Sequence, residues 1–110
     1  MNFVSGSTCY FDDNTSEKCF PTECNNIKPS TKEWVIYGVS WCPFCRKTLE
    51  HLKEKKIAHY YYDVENPPFN TKENFRSMMS EELNGHHTLP AIFHHGKLIG
   101  GYTDLMKVSL

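Results

Sequence analysis

The stretch Trp34-Val35-Ile36-Tyr37-Gly38-Val39-Ser40-Trp41-Cys42-Pro43-Phe44-Cys45 sets the architecture. Its first half is nearly continuous in apolar, aromatic and β-branched residues, the pattern of a strand buried on both faces. Pro43 then suits the first turn of a helix, where its missing N–H is no loss. Cys45, Leu49 and Leu52 follow at i, i+4 and i+7, one face of a helix running to about Lys56. A Cys-x-x-Cys pair therefore stands where a strand hands over to a helix.

Beyond this junction the elements alternate. Ala58 to Val64 reads as a second strand, closed by Asn66-Pro67-Pro68 because proline cannot continue a ladder. Asn70 to about Leu83 reads as a second helix, with Thr71 as its cap and Asn74 nearby. Phe75, Met78, Met79 and Leu83 form its apolar face, and Gly85 its stop. Ala91–His94 and Lys97–Ile99 flank His95-Gly96, a hairpin signal. Gly100-Gly101 leads into a last helix opening at Tyr102-Thr103-Asp104. The order β-α-β-α-β-β-α predicts an α/β fold. The first two strands should be parallel with a right-handed crossover and the last two antiparallel, in a four-stranded mixed sheet with helices on both faces.

Residues 1–33 differ in character. They are rich in Asn, Ser, Thr and Asp, with scattered apolar residues and no sustained period. Pro21, Pro29 and Asn25-Asn26 interrupt them further. They read as an irregular N-terminal extension to a domain at residues 34–110.

The whole chain of 110 residues is one domain in size, with 39% hydrophobic and 23% charged residues. Twelve basic residues against thirteen acidic give a net charge of −1, which removes the electrostatic case for a nucleic-acid or anionic-membrane partner. No apolar run is long enough to span a bilayer, and the first residues lack the pattern of a secretory signal. The five cysteines, Cys9, Cys19, Cys24, Cys42 and Cys45, are an odd number. Without an export signal this argues against a secreted disulfide framework and for a reducing, cytoplasmic setting.

A Cys-x-x-Cys pair beside a βαβ pattern is a thioredoxin-like redox signature. Unpaired N–H groups and the dipole at the helix N-terminus favour a thiolate at Cys42, the nucleophilic form. Cys45, one turn further in, is within reach and more shielded, so Cys42 attacks and Cys45 resolves. The rival reading is a zinc-binding interaction module of Cys19, Cys24, Cys42 and Cys45, with seventeen residues between the two pairs. The long helix after Cys42 fits that reading less well. His86-His87 and His94-His95 read as exposed loop histidines rather than metal ligands. Tyr60-Tyr61-Tyr62 reads as strand, with no basic groove to make it a stacking platform.

Three landmarks in order resemble the glutaredoxin family: Cys42-Pro43-Phe44-Cys45, then Thr88-Leu89-Pro90, then Gly100-Gly101-Tyr102-Thr103-Asp104-Leu105. The resemblance covers about residues 34–110. It implies a thioredoxin fold and glutathione-dependent disulfide reduction. Glutathione would be a co-substrate rather than a bound cofactor, and no metal is implied. Pro90 should be cis, leaving the Leu89 backbone to pair with the glutathione main chain as an added strand. Thr88 would flank the same groove. Thr103 and Asp104 would hold the γ-glutamyl end, with Phe44 and Tyr102 beside it. Electrons would pass to protein disulfides and glutathionylated proteins, with the chain acting as a monomer. Some relatives bridge an iron–sulfur cluster between two copies through the first cysteine and glutathione; proline directly after Cys42 hinders that.

The chain departs from the family pattern at several places. Val39 stands where relatives usually carry Lys or Arg. Arg46 and Lys47 could replace that cation only by turning back, and His87 is another candidate for the glycyl carboxylate. Phe44 keeps the ring of the usual tyrosine without its hydroxyl. Only six residues follow Asp104, so the last helix should be short, and Tyr10, Phe11 or Phe20 of the extension should cover the face it leaves open.

Overall fold

The computed structural model describes residues 7–12, 17–21, 27–29, 31 and 33–109. The elements are β1 (Ser7–Phe11), β2 (Glu17–Pro21), β3 (Trp34–Gly38), α1 (Pro43–Glu54), β4 (His59–Asp63), α2 (Lys72–Met78), α3 (Ser80–Leu83), β5 (Ala91–His94), β6 (Lys97–Gly100) and α4 (Tyr102–Met106). The sheet order is β2-β1-β4-β3-β5-β6. β3 and β4 pair in parallel and β5 and β6 antiparallel, as the sequence pattern requires, and β5 also pairs antiparallel with β3. The fold is thioredoxin-like α/β.

β3 is buried along its whole length because both of its faces are covered. Val35 and Tyr37 point into one core layer with Phe69, Phe75, Met79, Leu83 and Phe93, under α2 and α3. Trp34 and Ile36 point into the other, with Leu52, Ile92 and Leu105, under α1 and α4. The alternation of the strand thus serves two apolar layers, which is why the sequence shows a continuous apolar run there.

The sheet has six strands rather than four, and the segment read as irregular supplies the other two. β1 pairs with β4 on one side and β2 on the other, antiparallel to both. Its side chains bury on both sides of the sheet. Tyr10 packs on Tyr60 with ring centroids 4.6 Å apart, and Phe11 stacks on His59 at 4.9 Å. Lys53 of α1 closes over the Phe11 ring at 4.6 Å. Tyr10 and Phe11 therefore cover the surface of β4, not the face beside α4 expected from the sequence, because β1 joins the sheet at β4 while α4 packs on α1 and β6; the Phe20 side chain and Cys24 lie outside the described residues. Strand residues of mixed polarity, Ser-Thr-Cys-Tyr-Phe, hide this strand from a pattern search.

The second helix is broken at Met79, whose backbone leaves the helical region with φ −113°. The break keeps Phe75, Met79 and Leu83 on the core and turns Met78 outward, 40% exposed, against the expectation that it packs inside. Thr71 caps α2 by accepting from the Asn74 N–H at 3.0 Å. His95 and Gly96 turn the β5–β6 hairpin with φ of 56° and 78°, the left-handed pair such two-residue turns require. His94 belongs to β5 rather than to a loop and stacks on Trp34 at 4.0 Å.

Candidate active site

Cys42 is the N-cap of α1, in extended backbone conformation (φ −82°, ψ 123°). Its N–H bonds to the Val39 carbonyl at 3.3 Å, and its own carbonyl accepts the Arg46 N–H at 3.1 Å. The cap position leaves the first amides of α1 without intrahelical partners, directed toward the side of Cys42. Cys42 is half-buried and Cys45 buried, and both are free thiols. Burial pushes the Cys45 thiol up to about 12, partly offset by a bond to the Val39 backbone. It is therefore a protonated thiol at neutral pH.

Gly38, at the end of β3, makes room for that thiol. A Cβ there would lie 2.7 Å from Cys45 Sγ and 3.4 Å from the Tyr61 ring. Asp63 ends β4 on the same side, and burial raises its carboxyl above the usual range. Neither Gly38 nor Asp63 stands out in the sequence as a site residue; a glycine ending a buried strand just before a cysteine pair is the signal for the first.

The Leu89–Pro90 peptide is cis. Two clefts share Thr88 and Leu89 as a common wall. One, of about 390 Å³, is lined by Phe44, Thr88, Leu89, Pro90, Tyr102, Thr103 and Asp104 among others. Phe44 and Tyr102 face each other with centroids 5.9 Å apart. The other, of about 320 Å³, holds Cys42 with Trp41, Lys72, Arg76, His87, Thr88 and Leu89. Cys42, Phe44, His87, Thr88, Leu89, Pro90, Tyr102, Thr103 and Asp104 thus line one or other of two adjoining clefts, whereas Arg46 and Lys47 line neither. Cys45 sits behind the two clefts.

Asp104 fixes the turn into α4. Its Oδ2 accepts the Gly101 N–H at 3.0 Å, and a Cβ on Gly100, where φ is +127°, would collide with the same carboxylate. The double glycine thus lets the Asp104 carboxylate fold back onto the chain.

The cation question resolves in an unforeseen way. Val39 is buried. Arg46 does turn back, its Nε donating to the Ser40 carbonyl at 3.0 Å, whereas Lys47 lies over the Phe44 ring at 5.5 Å. The cations in the cleft beside Cys42 are Lys72 and Arg76, one turn apart on α2, and Arg76 Nη2 donates to the His87 carbonyl at 2.6 Å. Their i, i+4 spacing was legible; that this face of α2 looks toward Cys42 was not. His86, expected to be a plain loop histidine, lines the other cleft, with Nε2 3.4 Å from both Thr88 Oγ1 and the Pro90 carbonyl.

The four-cysteine zinc arrangement does not assemble among the described residues. Cys19 is bonded to Cys9, and the ligand atoms that gather are those of Cys9, Glu17 and Cys19, without Cys42 or Cys45 among them. No described helix is long and apolar enough to cross a membrane.

A cysteine pair at a strand–helix junction, with a cis-proline loop opposite, defines a thioredoxin-fold thiol–disulfide site. Comparison with known proteins narrows the class. The glutaredoxin family model matches residues 34–99. The chain is 33% identical over 79 residues to a probable glutaredoxin of Acanthamoeba polyphaga mimivirus, covering 67% of this chain and 74% of that protein. It is 33% identical over 68 residues to glutaredoxin-1 of Vaccinia virus (62% of this chain, 63% of that one). It is 32% identical over 73 residues to glutaredoxin-C8 of Oryza sativa subsp. japonica (66% and 53%). Among solved structures it resembles a dithiolic glutaredoxin of Trypanosoma brucei brucei, with TM-score 0.60 and 26% identity over 80% of this chain and 86% of that one. A buckwheat glutaredoxin–glutathione complex shares the fold at TM-score 0.62 and 17% identity, over 71% and 68%. The chain belongs to the glutaredoxin family of thiol–disulfide oxidoreductases.

Proposed function

We propose that this chain is a glutathione-dependent disulfide reductase in which Cys42 is the nucleophile and Cys45 the resolving thiol. The observation that carries the reading is the asymmetry of the pair. Cys42 is accessible at a helix N-terminus and Cys45 is buried and protonated one turn behind it. The Cys42 thiolate attacks one sulfur of a substrate disulfide and the other sulfur leaves as a thiol. With a glutathionylated protein, glutathione stays on Cys42 and the protein thiol departs. A second glutathione thiolate then attacks the glutathione sulfur, releasing Cys42 and oxidised glutathione. With a protein disulfide, Cys45 gives up its proton and attacks Cys42, closing the pair and freeing the reduced substrate. Two glutathiones reopen it.

Glutathione lies across the two clefts in this reading. The Leu89 main chain pairs with the tripeptide backbone as an added strand; among the described residues no backbone hydrogen bond occupies the Leu89 N–H or carbonyl. Lys72 and Arg76, with His87 beside them, receive the glycyl carboxylate. Thr103 and Asp104 hold the γ-glutamyl end, Asp104 taking its ammonium, with Phe44 and Tyr102 as the apolar wall. Trp41 and Phe44, 60% and 51% exposed on either side of Cys42, are the surface a protein substrate covers. The chain works as a monomer in a reducing, glutathione-containing compartment and needs no bound cofactor. The test is reduction of a small disulfide with glutathione, cysteine or β-mercaptoethanol as donor at equal thiolate concentration. Glutathione should be faster by about tenfold or more; equal rates with all three would contradict a glutathione site.

A further inference from the structure

The mechanism above leaves one sulfur pair unused. Cys9 and Cys19 face each other directly in the β1–β2 ladder and are joined as a disulfide. We propose that this bond is a second thiol–disulfide centre, opened and closed by a small thiol such as glutathione, independently of Cys42.

The placement argues against a purely structural bond. β1 is already held from its other side by pairing with β4 and by the burial of Phe11. The bond therefore restrains only β2, an edge strand whose sole partner among the described residues is β1. The two sulfurs also differ in access. Cys19 is exposed, whereas Cys9 is half-buried and lines a cleft of about 350 Å³ shared with Arg46, Tyr61, Asp63 and Cys45. Cys19 is the sulfur open to attack, and Cys9 is the leaving sulfur, in a cleft that Glu17, Arg46 and Asp63 also line.

The exchange balances with glutathione alone. The first glutathione thiolate bonds to Cys19 Sγ while the Cys9–Cys19 bond breaks, and the Cys9 thiolate takes a proton. The second glutathione attacks the sulfur of the first, releasing Cys19 as a thiol and oxidised glutathione. The freed Cys19 thiol has an acceptor waiting, since Glu17 Oε2 lies 3.3 Å from Cys19 Sγ. Because the ladder keeps both residues in register, the opened thiols stay opposite each other and the reverse reaction regenerates the bond. The two centres lie side by side, since Tyr61 pairs with Cys9 in the β1–β4 register and packs beside Cys45 at Gly38, yet neither supplies a sulfur to the other's exchange.

The test uses the full chain and its Cys42→Ser/Cys45→Ser double variant, each equilibrated in buffers from excess reduced to excess oxidised glutathione. After an acid quench, free thiols are alkylated and Cys9, Cys19 and Cys24 are read peptide by peptide by mass spectrometry. Cys9 and Cys19 should pass together from almost fully bonded to almost fully alkylated within the series, equally in both proteins. In Cys9→Ser a glutathione adduct should collect on Cys19. The proposal is overturned if the bond survives the most reducing buffer, if it never forms in the most oxidising one, or if Cys24 captures either sulfur. It is also overturned if the transition vanishes in the double variant. That variant has no active-site pair, so failure of the proposed catalytic role leaves this result readable.

Discussion

Gly38 and Cys45 are fitted to each other: the missing Cβ of one is the space that the sulfur of the other occupies, 2.7 Å from where that Cβ would be. The strand end and the first helical turn can approach only because the residue is glycine. Cys45 is itself buried, with Val39 in the same core cluster and the Tyr61 ring 3.4 Å from the added Cβ. Gly38→Ala should cost about 1–3 kcal/mol of stability, the range for overpacking a filled interior. It should slow protein-disulfide reduction, which needs Cys45, more than exchange with glutathione mixed disulfides. Urea unfolding and the two assays side by side check this; an equal loss in both would separate Gly38 from the resolving step.

His59 sets an acid limit on stability. It is fully buried, its Nδ1 is 2.8 Å from the Ile57 carbonyl, and its Nε2 has no partner among the described residues. Burial holds its pKa below the ordinary 6.5. The unfolded chain therefore takes up a proton near that value while the folded chain does not. Stability is full above about pH 6.5 and falls as pH drops below it. His94, lowered for the same reason, has the same sign, while the raised carboxyl of Asp63 works in the opposite direction at lower pH. Melting temperature followed from about pH 7.5 downward should fall, and His59→Phe, which keeps the stack on Phe11, should flatten the slope. An unchanged slope would remove His59 as its source.

Asp104 has two roles that substitutions can separate. Asp104→Asn keeps an oxygen for the Gly101 N–H and should leave stability nearly unchanged, yet lose the charge proposed to meet the γ-glutamyl ammonium. Its KM for glutathione should rise about tenfold or more, the worth of a charge-assisted hydrogen bond. Asp104→Ala should in addition cost about 1 kcal/mol of stability through the lost cap. Equal KM values for the Asp104→Asn variant and the unaltered protein would place the ammonium elsewhere.

Lys72 and Arg76 should act on binding rather than on chemistry. Lys72→Ala and Arg76→Ala should each raise KM for glutathione with little change in kcat, and added salt should weaken the unaltered protein toward them. Arg76→Ala should also loosen the loop it holds through the His87 carbonyl. A fall in kcat alone would contradict the assignment.

The N-terminal hairpin is part of the folded body. Phe11 is 6% exposed between His59 and Lys53. Phe11→Ala should cost about 3 kcal/mol, as aromatic truncations in cores do, and removal of residues 1–30 should lower the melting temperature by several degrees. No change on either would mean that the β1–β4 ladder contributes nothing to stability.

The part of the fold legible in the sequence is the part with a strong period. β3 carries a two-sided apolar run and α1 a clear apolar face, so both could be placed with the cysteine pair between them. β1 and β2 could not: β1 is buried through pairing with Tyr60, Tyr61 and Tyr62, a tertiary fact, and β2 pairs with β1 while Glu17, Lys18 and Cys19 stay exposed. The site was legible wherever a motif carried it: Cys42, Thr88, Pro90 and Asp104 stand in short, ordered landmarks. Lys72 and Arg76 lie on an ordinary amphipathic helix, and only the packing of that helix turns them toward Cys42. Gly38 matters through a clearance of a few ångströms that no spacing rule records.

The sharpest measurement is glutathione-coupled reduction by two single variants assayed beside the unaltered chain, on a small glutathione mixed disulfide and on a protein disulfide. Cys42→Ser should abolish both reactions. Cys45→Ser should retain the first and lose the second. Activity surviving in Cys42→Ser, or equal loss of both reactions in the two variants, would contradict the division of labour between the accessible and the buried sulfur.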